Sequence, residues 1–286
     1  MSARRGKTQG HYPNLDTRDI LRDGHVVCCR NPVGRRFGKR DAVRIESAWS
    51  TFEDLPEAVR HVKEEERVRT AEAPAAWDPE FGYLSPEPQF CGSNLYINCM
   101  VHLEALNLLG DLKFVLAGLD ALRLNAWGCE ADVIHDAAHI YHIENRFSLG
   151  ITEEALVTRI TNALQGVVQQ EVNARLHLVE EDKRILADAL ARSLAILRAA
   201  RLLSPWELTD ILSPIRMAAA MGFIEGITKE EIDDFTLNQL AEPPDRFDTR
   251  DQARARDKRD ASFADRMNRR FAKVGLNARG RKLLES

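Results

Sequence analysis

The chain has 286 residues, 44% of them hydrophobic and 29% charged, and a formal net charge of −4, which is unremarkable for a soluble protein. That length suits one large domain or two small ones. No run of about 18 apolar residues occurs, which excludes a membrane-spanning helix, and the start MSARRGKTQGHYPNLDTRD lacks the apolar core of a secretory signal. The five cysteines (Cys28, Cys29, Cys91, Cys99 and Cys129) are scattered and include no CxxC pair. Such a set suits a reducing cytoplasm, with neither a disulfide framework nor a structural zinc site, so a cytoplasmic protein with no membrane partner is expected.

In chain order, residues 1–24 are polar, basic and aperiodic and read as a flexible arm. HVVCCR (His25 to Arg30) reads as a short strand, and NPVGRRFGKR as a Gly-rich basic loop carrying Arg35, Arg36 and Lys39. STFEDLPEAVRHVKEEERVR has room for a short helix. AEAPAAWDPEFGYLSPEPQF, with four prolines, reads as a loop with an extended piece around Tyr83. From Cys91 onward the texture is that of a core. MVHLEALNLLG, DLKFVLAGLDALRLNAWG and ADVIHDAAHIYHIENRFSLG are short alternating runs broken by Gly and Asp, the pattern of a sheet. Helices follow. Thr152 is placed to cap one whose buried stripe is Leu156, Ile160, Ala163, Leu164 and Val167. DKRILADALARSLAILRAARLL is a second, rich in Ala and Leu. SPWE at Ser204 and TKEE at Thr228 are capping boxes, the first with Pro205 at the first helical position. A sheet region followed by helices points to α+β, or to α/β with a helix-covered sheet.

Taken together, FGYLSPEPQFCGSNL, MVHLEAL and IYHIENRFSLGITEEALV resemble the catalytic domain of the phosphagen (guanidino) kinases, and among them the bacterial protein-arginine kinases. That family has a Gly-Tyr strand entering a Cys-Pro-Ser/Thr-Asn loop, then an Ile-Ser-Asn segment ending in Leu-Gly. Here Gly82-Tyr83-Leu84, Cys91-Gly92-Ser93-Asn94, Ile143-Glu144-Asn145 and Leu149-Gly150-Ile151-Thr152-Glu153 stand at those places. MGFIEGITKEEIDDF resembles the family's helix-turn-helix near the end of the domain. The likeness runs roughly from Gly82 to Phe235 and rests on the order and spacing of the motifs, none of which is specific alone. The resemblance implies an α+β fold, an antiparallel sheet with helices packed over one side. It places the domain at residues 25–242 and a basic helical segment at 243–286, with the family's N-terminal helical domain lost or reduced.

The resemblance also implies an ancestral reaction, transfer of the ATP γ-phosphoryl group to a guanidinium nitrogen. That chemistry needs Mg²⁺, several cations around the triphosphate and carboxylates to orient the guanidinium. On this alignment Cys91, Asn94, Asp132 and Asn145 are the catalytic remnants, and Arg30, Arg35 and Gly128 the remnant nucleotide site. The cations are mostly gone. The family's Ser-x-Arg-x-Arg aligns with CCRNP, which keeps Arg30 but has Pro32 for the second arginine. The family's Gly-Thr-Gly-Leu-Arg turn has no counterpart in NLYINCMVHL, and in WGCEAD the residue Trp127 replaces another arginine. Each lost charge-assisted bond is worth roughly 1.5–3 kcal/mol, and losing several lowers transfer by powers of ten. The implication is a catalytically degenerate relative that acts as a binding or regulatory module without a cofactor. The alternative is an active, divergent ATP:guanidino phosphotransferase using Mg-ATP, with Arg30 and Arg35 on the triphosphate and Cys91, Asp132 and Asn145 near the guanidinium. No cation lies near Cys91 in sequence to activate its thiol, so it reads as inherited scaffold.

The tail is basic, with thirteen Lys/Arg against seven Asp/Glu from Asp245 to Ser286. Within it, Arg250-Asp251-x-x-Arg254-Ala255 matches the Arg-Asp-x-x-Arg-Ala motif of the protein-arginine kinases, and the resemblance makes it part of a phosphoarginine pocket away from the active site. Independently, arginines at i and i+4 of a helix share a face and can clamp one phosphate, while Asp251 accepts from a guanidinium. The plain alternative is a surface helix whose Asp and Arg pair with each other. The expected partner is thus an arginine-phosphorylated protein, and a dimer is one oligomeric state open to the chain. His135, His139 and His142 have metal-face spacing only on a helix, and the resemblance makes their segment a strand, so no metal is expected. NPVGRRFGKR lacks the Gly-Lys-Ser/Thr ending of a P-loop and has no aromatic pattern for stacking bases, so no nucleic-acid partner is expected.

Overall fold

A computed structural model describes residues 20–30, 43–49, 51–69, 71, 75–85, 87–130, 136–240 and 250–284. Arg35, Asp132, His135 and nearly all of the predicted arm and basic loop lie outside them. The described chain opens on β1 (Leu21–Arg30), paired antiparallel with β2 (Val43–Trp49). β1 therefore begins inside the stretch read as an arm. α1 (Asp54–Arg69) is fixed at its start by the Asp54 carboxylate, which accepts from the Thr51 amide at 3.0 Å. It buries Leu55, Ala58, Val59 and Val62, a 3–4 residue spacing. The proline-rich segment holds a two-residue hairpin, β3 (Trp77–Asp78) and β4 (Gly82–Tyr83).

β5 (Leu95–His102) shows why the sheet has two unlike faces. Leu95, Ile97, Cys99 and Val101 are at most 1% exposed, whereas the alternate residues Tyr96, Asn98 and Met100 are only half-buried. The next stretch departs from the expected run of strands. It folds as α2 (Glu104–Leu109) and α3 (Leu112–Ala121) before β6 (Leu124–Glu130) and β7 (Asp136–Asn145). The reason is legible afterwards, since Leu112, Val115, Leu116 and Leu119 make a helical stripe that Gly110, Gly118 and the aspartates disguise. The five strands run β2-β1-β5-β7-β6, every pair antiparallel.

The helices that follow lie where the sequence places them. α4 (Glu153–Glu180) is capped by Thr152, whose hydroxyl accepts from the Ala155 amide at 3.2 Å, and the five predicted stripe residues are all buried. α5 (Lys183–Ala199) comes next, then α6 (Pro205–Ala220), with Ser204 accepting from the Glu207 amide at 3.1 Å. β8 (Ile224–Glu225) leads into α7 (Lys229–Leu240), where the Thr228–Glu231 box closes in both directions at 3.0 and 3.2 Å. α8 (Arg250–Phe271), β9 (Gly275–Leu276) paired with β8, and α9 (Ala278–Leu284) complete the chain. One apolar core joins the inner face of the sheet to α1, α4, α5, α6 and α8. The architecture is α+β, an antiparallel sheet with helices over one side. Among the described residues, no helix is long and apolar enough to cross a membrane.

Candidate functional site

The cysteine loop is stitched to the segment after β7. Gly92, at φ +93°, packs so tightly that a Cβ there would meet the Ser148 carbonyl oxygen at 2.9 Å. The Ser148 hydroxyl donates to the Cys91 carbonyl at 3.1 Å, and the Ser148 amide to the Gln89 carbonyl at 2.8 Å. Among the described residues, the Cys91 thiol meets only backbone in its hydrogen bonds. It accepts from the Ser85 amide at 3.4 Å and faces the Ser85 carbonyl at 3.9 Å. Asn94 is buried, with the left-handed backbone (φ 51°) that asparagine tolerates best after glycine.

Asn145 is committed to the same seam. Pairing of β5 with β7 stops at Asn98 and Glu144, and beyond it the Asn145 side chain takes the place of a strand. It accepts from the Ile97 amide at 2.7 Å and donates to the carbonyls of Leu95 and Phe147 at 3.0 and 3.2 Å. Gly128 is buried in β6 opposite Tyr141, next to a register shift. Arg30 ends β1 opposite Val43, and its side chain is outside those described. The structure therefore brings Cys91, Asn94 and Asn145 together, as buried or part-buried structural groups, and leaves Asp132 and Arg35 outside the described residues.

On the face of the sheet turned from the core, neighbouring strands align Asn98, Glu144 and Asn125 in one row and Met100, His142 and Trp127 in the next. Trp127 stacks on His142, ring centroids 5.4 Å apart and planes 16° apart. His142 Nδ1 meets Asn98 Oδ1 at 3.4 Å, and Asn125 donates to Glu144 Oε1 at 3.3 Å. Burial pushes the Glu144 carboxyl up to about 7. His139 and His142 lie on β7, as the resemblance implied, and among the described residues no group of His, Cys, Asp and Glu is placed to hold a metal.

α8 begins at Arg250, so Arg250 and Arg254 are one turn apart at its N-terminal end. Arg254 is exposed, together with every residue from 255 to 259. Arg256 lies 3.6 Å from Asp257 and 3.9 Å from Asp260, and Arg259 lies 3.8 Å from Asp260. The opposite side of α8 buries Phe263, Ala264, Met267 and Phe271. The side chains of Arg250 and Asp251 are outside those described.

A buried polar cluster joining β5, α2, α4, α6 and α7 was not foreseen. Arg216 Nη1 donates to His102 Nδ1 at 3.0 Å. A guanidinium has only donors, so the imidazole proton must sit on Nε2, which donates to the Ser213 hydroxyl at 2.8 Å. Ser213 in turn donates to Glu104 at 2.5 Å. Arg216 also pairs with Asp233 at 2.6 Å. Beside this chain, Glu171 accepts from the amides of Ala105 and Leu106 at 3.1 and 3.0 Å, capping α2, and pairs with the wholly buried Arg175 at 2.9 Å. Burial pushes Glu104 up to about 8 and raises Glu171 as well. The Glu171/Arg175 spacing inside an apolar stripe was the one sequence signal for it. Separately, a groove of about 780 Å³ lies between α1 and the start of α4, lined by Arg60, Lys63, Arg67, Tyr83, Glu153 and Thr158. Its cations are already paired, Lys63 with Glu153, Arg60 with Glu57 and Arg67 with Glu64.

Two family models match the chain, "ATP:guanido phosphotransferase, C-terminal catalytic domain" over residues 37–174 and "Protein-arginine kinase McsB C-terminal domain" over residues 182–278. Between them they take in most of its length, so the chain resembles the catalytic domain of the ATP:guanido phosphotransferases followed by the C-terminal domain of the protein-arginine kinases. The particular relatives are protein-arginine kinases. That of Clostridium novyi (strain NT) is 26% identical over 202 residues, 71% of this chain and 58% of that one. That of Bacillus cereus (strain G9842) is 27% identical over 193 residues, 68% and 54% of the two chains. The chain thus spans between a half and three-fifths of the length of these curated relatives. The first family model ends at residue 174, within α4, and the second begins at residue 182, just before α5. Among solved structures, the duplicated taurocyamine kinase from Schistosoma mansoni with bound transition-state-analogue components superposes with a TM-score of 0.48 at 12% identity, over 65% of this chain and 40% of that one. A lombricine kinase superposes with a TM-score of 0.39 at 18% identity, over 51% and 40%. The assignment of fold rests on the family match and on the sheet itself, not on these superpositions.

Proposed function

We propose that the chain is a catalytically degenerate relative of protein-arginine kinase, working as a binding or regulatory module that recognises phosphoarginine on proteins through Arg250, Asp251 and Arg254. The observation that carries this reading is that the Arg-Asp-x-x-Arg-Ala motif opens a 22-residue helix inside the segment matched by the protein-arginine kinase C-terminal model. A helix start carries partial positive charge, and two guanidinium forks one turn apart add to it, so a phosphoryl group is the fitting ligand.

The degenerate half of the reading is supported by the sheet. Mg-ATP is the family's phosphoryl donor, and its triphosphate needs cations. Among the described side chains, the outward residues of β5, β7 and β6 include Tyr96, Asn98, Met100, His142, Glu144, Asn125 and Trp127, an aromatic, amide and carboxylate surface that does not fit a polyanion. The remnants Cys91 and Asn145 have hydrogen bonds that serve the seam between loop and strand.

Isothermal titration of phosphoarginine, free and in a peptide, tests the reading. Binding is expected, and Arg254→Ala should weaken it by about ten- to a hundredfold, the worth of one charge-assisted clamp of roughly 1.5–3 kcal/mol. Mg-dependent phosphorylation of arginine in a protein substrate, abolished by Arg30→Ala, would instead establish an active kinase.

A further inference from the structure

α3 is apolar on two sides, and the fold uses only one of them. Val115, Leu116 and Leu119 pack against the core. The opposite side carries Phe114, Ala117, Gly118, Ala121 and, at the C-cap, Leu122, which recur three and four residues apart and are all exposed. Phe114 is 67% exposed and Leu122 49%. A lone exposed apolar side chain is ordinary, but a continuous apolar stripe along a surface helix marks a contact. Gly118 is an independent sign of the same thing. A Cβ there would meet nothing within 4 Å, so the fold has room for a side chain that the sequence withholds. Glycine inside a helix weakens it, and here it gains the molecule nothing unless another backbone comes close.

We infer that this side of α3 is a homodimer contact, packed antiparallel on α3 of a second copy about a two-fold axis that passes beside Ala117 and Gly118. The small residues at the middle let the two backbones approach, and Phe114 of each copy covers Ala121 of the other. Charge selects this occupant. Lys113 and Asp120 are seven residues apart, two helical turns, so they flank the same side of the stripe. A two-fold axis across the helices carries that side onto itself with its ends exchanged, so each Lys113 meets Asp120 of the other copy. Lys113 is exposed beside the stripe, its Nζ 5.0 Å from the Phe114 ring centroid. The Asp120 side chain stays 70% exposed although its Oδ1 pairs with Arg146.

The size of the surface sets the strength of the contact. A ten-residue helix is about 15 Å long, so pairing on α3 stays below the roughly 800 Å² per partner of a stable interface. The dimer is therefore weak and parts on dilution, and its rim charges fix register more than affinity. α3 carries none of the residues proposed to read phosphoarginine, so the two ideas stand or fall separately.

The test is sedimentation velocity of the full chain at low salt, from about 1 to about 300 µM, the range in which an interface below standard size dissociates. A shift from monomer to dimer is expected. Gly118→Leu should weaken association at least tenfold while the thermal midpoint of the dilute chain holds or rises, because the monomer has room for the side chain. Phe114→Ser should weaken it as much. Lys113→Glu and Asp120→Lys should each weaken association severalfold, by setting like charges opposite one another. Mixing those two variants in equal amounts should restore it, since both rim pairs of the mixed dimer are again opposite in charge. A chain that stays monomeric throughout would overturn the inference, even if α3 then bound some other protein. So would a dimer that survives Gly118→Leu and Phe114→Ser, because its contact lies elsewhere. Failure of the mixture to associate better than either variant alone would overturn the antiparallel two-fold arrangement, and with it the inference.

Discussion

At the scale of single residues, Asn145 is a motif residue whose hydrogen bonds serve the fold. Aligned sequence makes it a catalytic candidate, yet its three hydrogen bonds close the gap where two strands part. Asn145→Ala would leave a buried amide and carbonyl unmet, at about 1–3 kcal/mol for each group. Chemical denaturation should therefore show a loss of at least about 2 kcal/mol, with phosphoarginine affinity unaltered in the folded protein. A catalytic asparagine would show the opposite, unchanged stability and lost turnover. The position of Asn145 beside the cysteine loop could be anticipated, because the family motifs stand in order. Its role could not, since nothing in IEN says which strand edge the amide will face. Glu144 stands within the same motif, but a lone acid in a strand announces its burial only once both neighbouring strands are in register.

At the scale of elements, local signals were read well wherever capping chemistry was explicit. Thr152, Ser204 and Thr228 all cap as their sequences require. Ser204→Ala should cost about 1 kcal/mol, visible as a lowered thermal midpoint. The error lay between Leu103 and Ala121. There α2 is six residues long and begins without a side-chain cap of its own at Leu103. Its start is satisfied from far along the chain by Glu171, so no local rule could find it. Replacing Glu171 with Gln would remove the charge that answers the buried Arg175, and breaking such a pair costs about 3–5 kcal/mol. A far-ultraviolet melt of Glu171→Gln should show a large cooperative loss, whereas a change within experimental error would mean the pair is solvated.

For the whole molecule, the buried acids tie stability to pH. Glu104, raised by burial from 4.5 to about 8, binds its proton more tightly folded than unfolded, so it favours the fold fully below pH 4.5 and loses that contribution as pH rises through about 8. Glu171 and Glu144 shift in the same direction. Unfolding free energy should accordingly fall between pH 6 and pH 9, and Glu104→Gln, which still accepts from Ser213, should flatten that fall. An unchanged slope would show that other groups set it. The α+β architecture was legible at this scale because alternation in β5 and periodicity in α4 each name the face they bury. The polar cluster under it was not, since His102 and Ser213 are 111 residues apart and meet only in the folded core.

The central claim is that the sheet has lost the triphosphate site while α8 retains recognition of phosphoarginine. Thermal unfolding of the chain with Mg-ATP and with phosphoarginine, added separately, tests it most directly, because a ligand of the folded state raises the midpoint as it saturates. The account predicts a rise with phosphoarginine alone, absent in Arg254→Ala. A rise with Mg-ATP, followed by transfer of its γ-phosphoryl group to a protein arginine, would contradict it.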